Sequence, residues 1–212
     1  MKAEILNRLK ELGGNTENIK GISLQDDLKA IVFTKSLYPH ELWGTELYGV
    51  DEYYENHIEE YMQDKNLFYS NLKSHFFNPN NDDFEVSYGQ MFYGAIDFTP
   101  YKEGSADFTE WNDIFTDDEE VDLSEIYKVT NEKGPSFIKI IDSNGYPDSF
   151  FICTSDKNPD DPTVFGTDHE VFFNEISDDG SLSKFLEQFY TEDEFLAIVT
   201  NYIENKIANE PQ

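Results

Sequence analysis

The run Ser136-Phe-Ile-Lys-Ile-Ile-Asp-Ser-Asn-Gly-Tyr-Pro-Asp-Ser-Phe-Phe-Ile-Cys-Thr-Ser-Asp156 decides the fold. Phe137, Ile138, Ile140 and Ile141 are aromatic or β-branched, which favours a strand. Ser149-Phe150-Phe151-Ile152-Cys153 has the same character. Between them stands Asn144-Gly145, a pair able to take the two positive φ angles of a type I′ turn, so the stretch reads as a β-hairpin. The spacer from Asn144 to Asp148 exceeds two residues and contains Pro147, which predicts a turn wider than the minimal one.

On the C-terminal side, an acidic loop leads to a second strand pair, expected around Val164 and over 171–176, and then to an amphipathic helix from Ser181. Thr191 and Glu194 have the spacing of a capping box. They open a last helix whose inner face is expected to carry Phe195, Ile198, Val199, Tyr202 and Ile203, with 209–212 fraying. On the N-terminal side, Ile126 to Thr130 reads as a strand. Phe84-Glu-Val-Ser-Tyr88 alternates like a half-buried strand, with 91–98 as its partner. Residues 51–77 read as a long helical region capped by Asp51 and broken near Asn66. Residues 2–12 place Ile5, Leu6, Leu9 and Leu12 at helical spacing, stopped by Gly13-Gly14. Residues 28–33 fit a strand or a buried helical turn. The expectation is α+β: one domain over 1–212, with a central antiparallel or mixed sheet and helices at both chain ends packed on it.

Charge narrows the function. Fifteen Lys and Arg stand against 44 Asp and Glu, a net charge of −29. Phosphate binding and anionic membranes both require basic surface, so neither nucleic acid nor membrane is expected as a partner. A cationic partner is favoured, because such a field speeds the encounter. An aromatic content of 16% still supports a sizeable core. The stretch 101–125 carries ten acids against Lys102 alone, with Trp111, Ile114 and Phe115 interleaved. It reads as an ordered acidic insert. Single Cys153 in an apolar strand reads as a buried, inert thiol. The charged N-terminus is no signal peptide and no run reaches membrane-helix length, so a cytoplasmic protein is expected.

Catalytic and metal motifs fare poorly. Asp156, Asn158 and Asp160 match positions 1, 3 and 5 of a calcium loop, but Asp161 replaces its glycine and Thr167 its terminal Glu. Asp168-His169-Glu170 is expected on a strand, where successive side chains point to opposite faces and cannot converge. His40, His57 and His75 share no ligand spacing. No nucleophile elbow, Walker loop or dinucleotide fingerprint is present. No cofactor, no metal site and no enzymatic activity are therefore expected.

The segments Ser155-Asp156, Pro162-Thr163-Val164-Phe165, Asp168-His169-Glu170 and Ser181-Leu-Ser-Lys-Phe-Leu-Glu-Gln-Phe189 resemble the C-terminal half of the SUKH superfamily. The resemblance is strongest over 126–190. Leu37-Tyr38-Pro39 only partly matches the N-terminal signature of that family. The resemblance implies a mixed sheet with helices on one side. It also implies a bacterial immunity protein that binds and neutralises a cognate toxin, often a basic nuclease. The alternative it implies is a regulatory scaffold of the cell-wall synthesis type. The acidic residues expected to meet such a partner are Asp117, Asp118, Glu119 and Glu120 in the insert, Asp160 and Asp161 after the hairpin, and Asp178 and Asp179 before the Ser181 helix. Trp111 or Tyr101 could anchor the rim of such a patch.

Overall fold

The hairpin predicted from 136–156 forms the middle of a five-stranded sheet. The computed structural model describes residues 1–42, 44–78, 90–117, 119–143 and 145–209. The expected strand at 84–88, Asn144 of the turn, Asp118 of the insert and the fraying tail at 210–212 lie outside these. The chain begins with α1 (Ala3–Glu11), β1 (Gly14–Asn15), α2 (Leu24–Ala30), β2 (Val32–Phe33), β3 (Tyr38–Pro39), β4 (Glu41–Leu42) and β5 (Thr45–Glu46). Three helices follow: α3 (Val50–Asn56), α4 (Ile58–Gln63) and α5 (Lys65–Phe77). Then come β6 (Met91–Phe98), α6 (Ala106–Phe115), α7 (Ser124–Val129), β7 (Phe137–Ser143), β8 (Ser149–Cys153), β9 (Thr163–Thr167) and β10 (Ser177–Ser181). The chain closes with α8 (Leu182–Leu186), β11 (Phe189–Tyr190) and α9 (Glu192–Asn209).

Strands β6 to β10 pair in sequence order, all antiparallel, as a meander. The class is α+β, with helices at both ends of the chain. Phe137 and Cys153 face each other across the central hairpin, and its turn is closed by the Ser143 amide donating to the Asp148 carbonyl at 2.7 Å. The turn is wider than two residues, as Pro147 required.

The central strands β7 to β9 are buried on both faces. Ile138, Ile141, Phe150, Ile152 and Val164 join one core with Ile5, Leu9, Leu28 and Phe185 from α1, α2 and α8. Phe98, Phe137, Phe151, Cys153 and Phe165 join another with Phe115, Ile126 and Phe173. Helices thus cover both faces, where the family resemblance implied one. A bulge explains the unbroken Ile140-Ile141 pair. Lys139 pairs with Phe151 and Ile141 with Phe150, so Ile140 is extra, and both isoleucines enter the same core. A third cluster is helical and aromatic: Tyr38, Tyr53, Tyr61, Phe68 and Phe76 pack with Phe195, Val199 and Ile203 of α9.

Several local expectations are corrected. The segment at 126–130 is helix, not strand. Ile126 and Val129 fall on one helical face, and Asp122 Oδ1 accepts the Ser124 amide at 2.9 Å before the first turn. The strand expected at 171–176 is a tight turn segment. Its Phe173 takes φ +57°, a left-handed conformation unusual for a bulky residue, and is only 1% exposed. The Thr167 hydroxyl accepts the Phe173 amide, and the Phe173 carbonyl accepts the Asp122 amide at 2.8 Å. The fifth strand is instead polar β10. Residues 50–77 break at His57 and Asp64, where the Asp64 carboxylate accepts the Asn66 and Leu67 amides. Gly49, at φ +85°, caps α3. Asp51 serves elsewhere, binding Lys206 at 2.9 Å and Tyr202 at 2.8 Å. The Thr191–Glu194 capping box forms as expected. On α9, Ile198 and Tyr202 face outward while Phe195, Val199 and Ile203 are buried.

Phe98 lies at the centre of the second core, within ring-packing distance of Trp111, Phe115, Phe137, Phe151, Phe172 and Phe173. Phe98→Ala is expected to lower unfolding free energy by about 3–5 kcal/mol in denaturant titrations, the usual result of emptying a phenylalanine site. A loss below about 1 kcal/mol would show that α6 and the 168–176 turn do not depend on this ring.

Candidate functional site

Between α6 and the sheet the second core is left open. The opening is a cleft of about 370 Å³, walled by Phe98, Trp111, Phe151 and Phe172, with Ile96 on the sheet. Ile96 is 58% exposed. Asp97, Asp107, Lys139, Asp148, Ser149 and His169 complete the lining.

The sequence after β6 places α6 over the sheet. The Asp107 carboxylate accepts both the Thr99 amide at 2.8 Å and the Thr99 hydroxyl at 3.0 Å. Ser105 Oγ accepts the Phe108 amide and donates to the Thr99 carbonyl. This N-cap fixes the helix start on the strand end. At the far end Tyr101 donates to the Phe115 carbonyl at 2.7 Å. Trp111 then leans on Phe172, with ring centroids 4.7 Å apart.

At the cleft mouth the hairpin turn meets the turn after β9. His169 Nδ1 is 2.5 Å from Asp148 Oδ2 and 3.5 Å from Asp168 Oδ1. Residues 168–170 form a turn, so the side chains expected to diverge on a strand converge with Asp148, a residue the sequence did not single out. Asp148, Asp168 and His169 also form a group whose ligand atoms lie within 4.8 Å of one another. Ligand atoms around a tetrahedral zinc are about 3.3 Å apart, given bonds of about 2.0 Å. At 2.5 Å, Asp148 and His169 are hydrogen-bonded to each other in this arrangement. Hydrogen bonding to Asp148, then the charge of Asp168, raises the His169 pKa above the ordinary 6.5. Lys139 is the other basic group lining the cleft, and Asp142 pairs with it at 2.7 Å.

The acids expected to bind a partner fall in three places. Asp117, Glu119 and Glu120 are exposed where the insert leaves α6. That turn is docked on the 168–176 segment, because Asn174 Nδ2 donates to the carbonyls of Glu119 and Glu120, both at 3.3 Å. Asp118 lies outside the described residues. Asp160 and Asp161 stand apart, beside the N-terminus. Asp160 is exposed and 3.7 Å from the Met1 amino group. Asp161 is only 4% exposed. Its carboxylate takes Lys2 at 2.8 Å and both the amide and hydroxyl of Ser183, which joins α1 to α8. Burial alone would raise its pKa; these bonds prevail and lower it. Asp161 is therefore a tie within the fold and unavailable to a partner. Asp178 and Asp179 are on β10. Asp178 is exposed, while Asp179 packs near Gly166 and hydrogen-bonds Ser177, with burial raising its pKa.

The other motifs are structural. Asp156 accepts the Asn158 and Thr163 amides at 2.7 and 2.9 Å, so the calcium-like spacing closes a turn. Cys153 is buried, and burial pushes its thiol pKa up, away from the reactive thiolate. Among the described residues no helix is long and apolar enough to cross a membrane. The chain matches no protein-family model, no curated protein and no solved structure.

A histidine stabilised in its charged form contributes its full stabilisation below the unfolded-state pKa, and loses it as pH rises through the higher folded-state value. His169 is accordingly expected to titrate above 6.5 in an NMR pH series. Asp148→Asn should bring the midpoint down toward 6.5. An unchanged midpoint would show that the pair does not form in solution.

Proposed function

We propose that this chain is a non-enzymatic binding protein that neutralises a cationic protein partner, of the basic nuclease-toxin kind met by SUKH immunity proteins. One observation carries the reading. Residues 103–127 and 158–183 contain no Lys or Arg, and hydrogen bonds from Asn174 to Glu119 and Glu120 hold these two stretches together. Negative charge is thereby gathered on the insert side. Asp117, Glu119 and Glu120 are exposed there, with Glu170 and Glu175 on the adjoining segment.

Several cations elsewhere are engaged by nearby acids. Lys206 meets Asp51 and Glu55, Lys29 meets Asp97, and Lys35 and Lys73 both meet Glu192. An isolated exposed pair with a partner would contribute only about 0–1 kcal/mol. The gathered field acts mainly on encounter, raising association rates by about 10–1,000-fold at low salt. Asp118 belongs to the same run in sequence, and Asp160 and Asp178 supply outlying charge.

The Asp148–His169 pair beside a cleft favours one other reading, a hydrolase that keeps His169 oriented as a general base. That reading requires turnover abolished by His169→Ala with the fold intact. In the binding reading the same variant leaves partner neutralisation largely in place.

The test is titration calorimetry of the full chain against a basic nuclease domain encoded by the adjacent gene, at low and at physiological ionic strength. Tight binding that weakens with salt is expected. The triple variant Asp117→Asn, Glu119→Gln, Glu120→Gln should weaken it roughly tenfold without loss of helical circular dichroism. Absence of binding at low salt overturns the proposal, and binding indifferent to salt favours the scaffold alternative.

A further inference from the structure

We infer that Asp148, Asp168 and His169 form a binding site for one divalent transition-metal ion of the Zn²⁺ class. The site stands apart from the proposed binding function and is tested without a protein partner.

The donors come from two turns. Asp148 closes the turn of the central hairpin, and Asp168 and His169 follow β9. One donor atom from each lies within 4.8 Å of the other two. His169 Nδ1 is 2.5 Å from Asp148 Oδ2 and 3.5 Å from Asp168 Oδ1. The expectation of no metal here placed 168–170 on a strand, and the turn removes that objection. Backbone contacts hold both turns in place. The Asp148 carbonyl accepts the Ser143 amide at 2.7 Å, and the hydroxyl of Thr167, beside Asp168, accepts the Phe173 amide at 2.9 Å.

Asp168 itself is short of a partner. It is 5% exposed, and its Oδ1 accepts the Glu170 amide at 2.9 Å. Among the described residues its Oδ2 accepts no hydrogen bond. An oxygen of a buried carboxylate left without a donor is destabilising, and a bound cation supplies the missing partner. Among the described residues the ion pairs of Asp148 and Asp168 are with His169 alone, so no Lys or Arg head group blocks the position.

The donor set selects the ion. An imidazole nitrogen with two carboxylate oxygens suits Zn²⁺ and related ions, whereas Mg²⁺ and Ca²⁺ prefer shells of oxygen alone. Open zinc sites combine three protein ligands with a water. Asp148 and His169 line the cleft, whose volume of about 370 Å³ leaves room for that water. The His169 side chain is 75% exposed, so its ring is free to turn. Lengthening its contact with Asp148 to about 3.3 Å opens a tetrahedral space. The proton between Nδ1 and Asp148 leaves to solvent, or moves to Nε2 when the imidazole is neutral, and the Nδ1 lone pair takes the ion.

Titration calorimetry of the untagged full chain, first stripped with a chelator, tests the site. Zn²⁺ is added in a large excess of Mg²⁺, which occupies the general acidic surface. One tightly held Zn²⁺ per chain is expected, and His169→Gln should weaken it roughly tenfold or more. Asp148→Asn should do the same with circular dichroism unchanged. The triple variant Asp117→Asn, Glu119→Gln, Glu120→Gln should bind Zn²⁺ as wild type does. In NMR spectra the His169 ring resonances should shift on zinc addition ahead of those of His40, His57 and His75. Zinc binding that Mg²⁺ abolishes, or that His169→Gln leaves unchanged, overturns the inference, as does a first shift at another histidine. His169 is exposed, so its variant carries the test even where Asp148→Asn fails to fold.

Discussion

Phe98 ends β6, and the rings around it come from three separate parts of the chain. Phe137 and Phe151 belong to the central hairpin, Trp111 and Phe115 to α6, and Phe172 and Phe173 to the turn before β10. A highly acidic insert has no electrostatic reason to fold back on an acidic body. Apolar burial in this cluster offsets that repulsion, at about 25 cal/mol per Å² removed from water. The Phe173 backbone shows the strength of the constraint: a bulky residue accepts a left-handed conformation to place its ring here. The cleft, the Asp148–His169 contact and the gathered charge all depend on this packing.

Charge is managed in two ways across the molecule. Where elements meet, acids are tied by hydrogen bonds and cations: Asp161 holds Lys2 and Ser183, and Asp51 holds Tyr202 and Lys206. Where the insert faces water, Asp117, Glu119 and Glu120 are left without basic neighbours in sequence. The first arrangement positions helices, and the second produces the external field on which the proposed function relies. Composition cannot separate the two. Asp160 and Asp161 are adjacent in sequence, yet one is exposed and the other is nearly enclosed.

The central hairpin was legible because Phe, Ile and an Asn-Gly turn agree locally. So were α1, the 91–98 strand and the capping box of α9. Errors arose where tertiary contact overrode local pattern. Ile126 and Val129 are β-prone, yet packing under the sheet makes them one face of a helical turn. Phe172 and Phe173 look like a strand, yet both rings serve the Phe98 cluster. Ser-Asp-Asp-Gly-Ser has the composition of a loop, yet β9 recruits it as a strand through backbone pairing at Gly166 and Phe165. The convergence of Asp148 with His169 was hidden for the same reason. It needs the hairpin turn and the β9 turn to be side by side, a fact set by strand order and not by spacing. The insert's acidity was plain, but its attachment through Asn174 was not, since one asparagine carries no signal of its own.

Among the described residues, strand β10 is the outer strand of the meander on its side and pairs with β9. Such a rim invites another chain to add to it, and proteins blunt it with charge. Here Asp178 and Asp179 occupy a five-residue strand, and Gly180 at φ +82° bends its end. The carboxylates that leave this segment looking like a loop also guard the sheet against stacking with its own copies. Acidification would lift that guard. Asp179, whose burial already favours the neutral form, would be protonated before a carboxylate with an ordinary pKa. Falling pH therefore begins to strip the border of the sheet of its charge through Asp179.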